Sequence, residues 1–141
     1  MKISGAESVA RLVLDTSAYS HFRHGHEAVL DRMAAAEIVL VPMIVLGELE
    51  AAFELGTRHR ENRLMLEEFL DEPFVSVLPL TRSATRRYGR VFAALREAGT
   101  PIPINDVWIA ATTIDSGAHL LTFDSDYEKV GSLDCTVLEA P

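Results

Sequence analysis

Short apolar runs alternate along the chain with longer stretches of helical periodicity, and this alternation restricts the fold more than any other feature. The predicted strands cover residues 11–15, 38–41, 74–78, 119–123 and, as a possible fifth, 136–138. The predicted helices cover residues 27–36, 44–55, 58–70, 81–97 and 106–116. Strands that alternate with helices are typical of a parallel sheet packed between helices. We therefore predict an α/β fold, a single-domain α/β/α sandwich with a parallel sheet.

Residues at the ends of these segments support their boundaries. Thr16 or Ser17 is predicted to cap whatever helix follows the first strand, and Asn105 to cap the helix that begins at Asp106. Gly117 is predicted to end that helix. Residues 101–104 are expected to be extended, because a residue that precedes proline is disfavoured in the helical region.

The size, cysteine content and hydropathy of the chain narrow the class of protein. The 141 residues suffice for one domain with a substantial core, here assigned to 11–141 after an N-terminal extension, 1–10. Neither a signal peptide nor a run of about 18 apolar residues occurs, so we expect a cytoplasmic protein without a membrane span. A single cysteine, Cys135, excludes an internal disulfide and a thiolate zinc site.

The formal charge of -8 taken alone argues against a nucleic-acid partner. The arginines are clustered, however. Arg82, Arg86 and Arg90 are spaced four residues apart, which places them on one face of the predicted helix 81–97. A solvated helix face explains this spacing as well as a phosphate-binding surface does.

Four acidic residues follow predicted strands or open predicted helices. Asp15 ends the first strand, Asp124 follows the fourth, and Glu48 and Asp106 lie in the opening turns of helical segments. Each has an ordinary structural explanation, such as helix capping or a favourable place near a helix N-terminus. The carboxyl ends of parallel strands and the helix N-termini after them share one edge, however. Carboxylates gathered there repel one another unless a cation lies among them, and their hard oxygen ligands suit Mg²⁺ or Mn²⁺.

The segments around these acids resemble known motifs when they are taken in order. They read Leu-Asp-Thr-Ser at 14–17, Gly-Glu-Leu at 47–49, Asn-Asp-Val-Trp-Ile-Ala-Ala at 105–111 and Leu-Thr-Phe-Asp-Ser-Asp-Tyr at 121–127. The set resembles the motifs of PIN-domain ribonucleases, and most closely the VapC-type toxins of type II toxin–antitoxin pairs. It spans the chain from about Leu12 onward. Tyr127 stands where that family often has phenylalanine, a difference that we expect to be harmless.

The resemblance implies a Mg²⁺-dependent endoribonuclease, with Mn²⁺ as a possible substitute. The family's catalytic metal ligands correspond to four acids of this chain, Asp15, Glu48, Asp106 and Asp124. Asp126 matches a further acid that we rank below these four, and Thr16 and Thr122 match hydroxyl groups that hydrogen-bond to the ligands. Attack by metal-activated water would leave 5′-phosphate and 3′-hydroxyl ends. The histidines of the segment 21–26 are expected at the surface rather than in an acid–base pair: His21, His24 and His26.

A toxin of this type implies a cognate antitoxin, an RNA substrate and a homodimer. Arg82, Arg86 and Arg90 are the candidate phosphate contacts. The apolar residues of the predicted helix 44–55 are expected to pack mainly in the core: Ile44, Leu49 and Phe53. The alternative is that they form the antitoxin or homodimer interface.

Other functions stay open on the sequence alone. A PIN-fold scaffold without catalysis is one alternative, and a PIN nuclease that acts on DNA or on ribosomal precursor RNA is another. Haloacid-dehalogenase-type phosphatases need a second aspartate two residues after the first, where this chain has Ser17. Receiver domains need a lysine at a strand end, and neither Lys2 nor Lys129 is so placed.

Overall fold

Five parallel strands form one sheet in the order β3-β2-β1-β4-β5. The strands are β1 (Arg11–Leu14), β2 (Ile38–Pro42), β3 (Val75–Leu78), β4 (His119–Thr122) and β5 (Cys135–Val137). The computed structural model describes residues 9–140, so most of the predicted N-terminal extension lies outside the described residues. The predicted parallel sheet is confirmed, including its fifth strand.

Six α-helices and one 3₁₀ helix connect the strands. They are α1 (Thr16–Arg23), α2 (Glu27–Ala34), α3 (Met43–Leu55), α4 (His59–Leu70), α5 (Arg82–Glu97), α6 (Ile104–Asp115) and the 3₁₀ helix Ser125–Lys129. From β1 the chain moves outward to β2 and β3, and it then crosses to the other side of β1 to form β4 and β5. Because crossovers between parallel strands are right-handed, the two directions place helices on opposite faces. The α/β/α sandwich is therefore confirmed.

The central strands are buried on both faces, which explains their uninterrupted apolar sequences. Val13, Val39 and Leu120 have no exposed side-chain surface. Leu49 and Phe53 of α3 also belong to the core, and Ile44 packs against it half-buried. The expectation that these α3 residues serve mainly the core is thus confirmed.

The order of the connections between strands reverses at the junction of β1 and β4, and this junction determines where the predicted acidic residues lie. Leu14 of β1 lies in register with Leu121 of β4, and the Asp15 N–H donates to the Leu121 carbonyl at 3.4 Å. In open α/β sheets a crevice forms at such a reversal, outside the carboxyl ends of the strands. Asp15 and Asp124 follow the two strands that flank it.

Two predicted helix caps are wrong. The N-cap of α1 is Asp15, whose Oδ1 accepts the Ala18 N–H at 2.8 Å, and Thr16 is already the first helical residue. Helix α6 begins at Ile104, with Pro103 at the N-cap position, so Asn105 lies within the first turn. In both places contacts with distant parts of the chain, rather than the local preference for a capping residue, determine where the helix begins. Asp15 is fixed by the strand junction, and the Asn105 amide is hydrogen-bonded to a residue of α3.

The prediction that residues 101–104 are extended is wrong for Ile104, which opens α6. Two other boundaries agree with the predictions. Thr81 caps α5 by accepting the Ala84 N–H at 3.2 Å. Gly117 follows α6 with φ of 67°, a conformation that residues other than glycine seldom adopt. Within residues 9–140, no helix combines the length and the apolar character that crossing a bilayer requires.

Candidate active site

Acidic residues from four separate segments meet at the carboxyl edge of the sheet. One carboxylate oxygen from each of Asp106, Asp124 and Asp126 lies within 4.8 Å of the others, and we call these residues the three-acid group. Asp15 and Glu48 lie close enough to raise the pKa of Asp106 by charge repulsion. The structure therefore brings together the five acids predicted for the site. It also places Asp126, ranked below the other four, inside the closest group.

Asp15 is the most firmly held of these acids, with a side chain only 4% exposed. Its Oδ1 accepts the Ser17 hydroxyl at 2.7 Å and the Ala18 N–H at 2.8 Å, and its Oδ2 accepts the Thr122 hydroxyl. Burial raises the pKa of Asp15, and these hydrogen bonds oppose the increase. The carboxylate thus links the start of α1 to the end of β4.

The hydroxyl groups of Ser17 and Thr122 extend this link. They lie 3.4 Å apart, Ser17 Oγ accepts the Phe123 N–H at 3.0 Å, and Thr122 Oγ1 accepts the Asp124 N–H at 3.0 Å. Thr122 therefore lies beside the carboxylates, as predicted. Ser17 was not predicted as a site residue, although a serine two residues after an aspartate commonly forms such local hydrogen bonds.

Glu48 of α3 is oriented through both of its oxygen atoms. The Thr16 hydroxyl donates to Oε1 at 2.6 Å, and the Asn105 amide donates to Oε2 at 3.3 Å. Thr16 accordingly contacts a predicted ligand, as the motif resemblance implied. Asn105 was missed as a site residue, because its neighbour in space is 57 residues away in the sequence.

Asp106 carries the clearest electrostatic sign of crowding. Burial, reinforced by the charges of Asp124, Glu48 and Asp15, raises the pKa of Asp106 from 3.8 to about 6. The Tyr127 hydroxyl, which donates to Asp106 Oδ1 at 3.1 Å, opposes that increase. A divalent cation in this place would relieve the repulsion that the raised pKa reports.

The 3₁₀ helix supplies the rest of the three-acid group. Asp124 caps it, with Oδ1 accepting the Asp126 N–H at 2.9 Å. Asp126 Oδ1 in turn accepts a hydrogen bond from Lys129 Nζ at 3.0 Å. Every member of the three-acid group offers carboxylate oxygen, the donor that Mg²⁺ and Mn²⁺ prefer, so the residues fit such an ion.

Comparison with known proteins shows the family. The sequence model of the PIN domain matches residues 12–133, most of the chain. The chain belongs to the PIN domain family. It is 32% identical over 135 residues to "Ribonuclease VapC4" of Mycobacterium tuberculosis, covering 90% of this chain and 96% of that protein. It is 31% identical over 118 residues to "Ribonuclease VapC5" of the same organism, covering 82% and 84%.

A solved structure shows the same fold. The crystal structure of VapBC-5 from Mycobacterium tuberculosis, described as a member of the VapBC family of toxin-antitoxin systems, superimposes with a TM-score of 0.72 at 27% identity. The match covers 94% of this chain and all of that one.

Two histidines lie elsewhere in this PIN domain than predicted. His24 is exposed, but His21 and His26 are half-buried around Phe123. The His21 ring stacks on Phe123 with centroids 3.8 Å apart, and the His26 ring meets it edge-on at 5.1 Å. Phe123 immediately precedes Asp124, so these rings pack beside the start of the segment that carries Asp124 and Asp126. The prediction of a surface position was wrong for His21 and His26, because both rings pack against Phe123, the residue that follows β4.

The predicted phosphate contacts of the PIN domain have different neighbours. Arg82, Arg86 and Arg90 are all exposed on α5. The hydroxyls beside Arg82, on Thr81 and Ser83, donate to Asp115 at the C-terminal end of α6. Asp115 follows Asp106 by nine residues, roughly 14 Å along a helix axis. Arg82 therefore lies near the end of α6 that is remote from the three-acid group.

Arg90 is placed differently. It lines a surface cleft together with Arg87 and Lys129. The cleft also reaches the C-terminal end of α6, since Ile114 lines it and Arg87 lies 3.9 Å from Asp115. It adjoins the three-acid group through Lys129, which pairs with Asp126.

Proposed function

We propose that this PIN domain is a Mg²⁺-dependent endoribonuclease and the toxin of a toxin–antitoxin pair, with Mn²⁺ able to replace Mg²⁺. The observation that carries the proposal is the three-acid group, in which three carboxylate oxygens lie within 4.8 Å of one another at an open sheet edge. The two similar proteins named as ribonucleases give independent support.

The chain's residues divide the work in this proposal. Asp106, Asp124 and Asp126 hold the ion, with Asp15 and Glu48 completing the acidic pocket. The Thr16 hydroxyl donates to Glu48 and orients its carboxylate. The Thr122 hydroxyl does the same for Asp15. A bound divalent ion lowers the pKa of a coordinated water and stabilises negative charge on the scissile phosphate. We expect products with 5′-phosphate and 3′-hydroxyl ends.

Binding of RNA requires cations near this acidic pocket, because the chain as a whole carries a charge of -8. The cleft lined by Arg87, Arg90 and Lys129 gathers three cations, and Lys129 also pairs with Asp126. We propose it as the first phosphate contact, with Arg86 and Arg82 extending the path along α5.

A cognate antitoxin is part of the proposal. The similar VapBC-5 structure is described as a member of a toxin-antitoxin family. The acidic pocket of this chain would accept a basic side chain of an antitoxin, and its negative charge would speed association with a basic partner. A homodimer is also proposed. Candidate contacts are large apolar side chains left exposed on α5 and α6, Phe92 and Ile104.

The test is an incubation of purified, antitoxin-free protein with total RNA and Mg²⁺. Controls are EDTA and the Asp106→Asn variant, which keeps the shape of the side chain and an acceptor for Tyr127. Circular dichroism must show that the variant is folded. Discrete fragments with 5′-phosphate ends, absent from both controls, are the expected result.

Other outcomes distinguish the alternatives. Cleavage of DNA but not RNA would replace the substrate class. Binding of RNA without cleavage in either Mg²⁺ or Mn²⁺ would support the scaffold instead, and the catalytic proposal would be abandoned.

A further inference from the structure

Tyr127 is a core residue whose hydroxyl group takes part in the candidate site. A purely apolar side chain at this position would lie next to the site without contributing a hydrogen bond. Its side chain is 1% exposed, and it belongs to the largest fully buried side chains of the core. Its hydroxyl reaches the edge of the core and donates to Asp106 Oδ1 at 3.1 Å. Phenylalanine, which the resemblance leads us to expect at this position, would fill the same space without that hydrogen bond. A role for this hydroxyl therefore departs from the expectation that tyrosine here makes no difference.

The position of Tyr127 in the chain adds to this observation. The 3₁₀ helix Ser125–Lys129 begins directly after Asp124 and contains both Asp126 and Tyr127. One short segment therefore provides two members of the three-acid group and the hydrogen-bond donor to the third. Asp106 itself comes from α6, 21 residues away from Tyr127 in sequence.

Asp106 needs such a donor because the charges around it oppose its orientation. It is half-buried, and the like charges of Asp124, Glu48 and Asp15 all act on it. A carboxylate side chain that is free to rotate moves away from like charges unless a hydrogen bond holds it.

We propose that Tyr127 is a positioning residue of the metal site, whose hydroxyl holds the Asp106 carboxylate in the orientation that places its oxygen with those of Asp124 and Asp126. The proposal rests on the metal-dependent function proposed above. Partners that orient metal ligands typically contribute 10–100-fold to metal affinity. Tyr127→Phe should therefore weaken divalent-ion binding by about tenfold or more, although it removes a single oxygen atom.

The experiment measures Mn²⁺ binding to the full chain, freed of metal, from the electron paramagnetic resonance signal of unbound Mn²⁺. The variants are Tyr127→Phe and a matched control, Tyr19→Phe. Tyr19 is likewise buried, at 3% exposure, and its hydroxyl accepts the Arg23 Nε–H at 2.8 Å in α1. Thermal unfolding in EDTA, followed by circular dichroism, reports the stability of both variants.

The expected result is wild-type Mn²⁺ affinity in Tyr19→Phe and about tenfold weaker affinity in Tyr127→Phe, with both variants folded. Equal affinity in Tyr127→Phe and wild type would overturn the positioning role while leaving the metal site intact. The same loss in both variants would also overturn it, because a general loosening of the core would then explain the effect. Absence of Mn²⁺ binding in the wild type would remove the metal site and this role together.

A double-mutant cycle keeps the question answerable if Tyr127→Phe is less stable than expected. Tyr127→Phe is combined with Asp106→Ala, which removes the acceptor of the Tyr127 hydroxyl, and the Mn²⁺ affinities of the four proteins are compared. If Tyr127 acts through Asp106, the tyrosine substitution causes no further loss when Asp106 is already replaced. An equal loss in both backgrounds would contradict the proposal.

Discussion

The acids of the candidate site are held in two different ways. Asp15, at the junction of β1 and β4, is 4% exposed and accepts hydrogen bonds from Ser17, Ala18 and Thr122. The members of the three-acid group are half-buried and lie within 4.8 Å of one another. In the first arrangement, three hydrogen bonds oppose the cost of burying the carboxylate, although burial still raises the pKa of Asp15. The second opposes folding through charge repulsion until a cation is present. One edge of the sheet thus combines a carboxylate held by three hydrogen bonds with a group of carboxylates that repel one another.

The largest effect that would test this contrast is expected from Asp15→Ala. The substitution removes the α1 cap and leaves the hydroxyls of Ser17 and Thr122 without their acceptor. Loss of a cap and unpartnered buried donors together predict a decrease of about 2–4 kcal/mol in the free energy of unfolding. Urea denaturation in EDTA measures it. The control is Asp106→Asn, which should not destabilise the metal-free protein. Similar losses in both variants would show that the two arrangements do not differ.

Thr122→Val is expected to have the next largest effect. The two side chains have nearly the same shape, but valine lacks the hydroxyl that donates to Asp15 and accepts the Asp124 N–H. Two buried polar groups lose a partner, so we expect a decrease of about 1–2 kcal/mol. Thr16→Val is the matched control and should cost about 0.5–1 kcal/mol, since Glu48 is half-exposed and water can replace the hydroxyl. Equal costs would argue against a stronger hydrogen-bond network at Asp15.

The pH dependence of stability should isolate the contribution of Asp106, whose pKa is raised, as that of Asp15 is. Because the pKa of Asp106 is raised from 3.8 to about 6, the folded protein binds this proton more tightly than the unfolded chain does. The resulting stability is fully present below pH 3.8 and is lost as the pH rises through about 6. We expect the loss to be on the order of 1 kcal/mol, since Asp106 is half-exposed and solvent screens its charge.

The measurement is thermal unfolding in EDTA between pH 4 and pH 7.5, for wild type and Asp106→Asn. The variant should gain stability relative to wild type as the pH increases, and Mg²⁺ should stabilise the wild type more at pH 7.5 than at pH 5. A constant difference between the two proteins across this range would mean that Asp106 is not electrostatically strained.

The smallest predicted effects are losses of RNA affinity when single arginines of α5 are replaced. The loss should be larger for Arg90, whose cleft adjoins the three-acid group, than for Arg82. Arg90→Ala should weaken RNA binding about three- to tenfold and reduce the salt dependence by about one phosphate contact. Arg82→Ala should change affinity less than about twofold, because Arg82 lies near the far end of α6. Fluorescence anisotropy in EDTA, at two salt concentrations, separates binding from cleavage. A larger effect of Arg82→Ala would relocate the RNA path to the N-terminal part of α5.

The fold could be predicted from sequence because its determinants are local. Strands β1, β2 and β4 are buried on both faces and therefore appear as continuous apolar runs. The acids Asp15 and Asp124 could be placed because each follows such a strand. The hydrogen bonds that orient the site could not be predicted in the same way. Asn105 contacts Glu48 across 57 residues and Tyr127 contacts Asp106 across 21, and neither distance follows from periodicity.

Local rules also failed where a side chain had a tertiary partner. Asn105 is a favourable capping residue in isolation, but its amide is used by Glu48, and Pro103 takes the cap position. His21 and His26 lie in a polar stretch, but they pack around Phe123 from a distant strand end. In each case the missing information was which distant residue the fold would bring alongside.

The double use of Asp15 has a consequence for genetics. The same carboxylate begins α1, joins the ends of β1 and β4, and lies at the proposed metal site. A marginally stable protein in a cell is exposed to proteases in proportion to its unfolded fraction. Selection for loss of activity would therefore recover Asp15 variants for two reasons, impaired chemistry and lowered abundance, and the phenotype alone would not separate them. Variants at Asp126, whose side chain caps neither α1 nor the 3₁₀ helix, would report on the chemistry more directly.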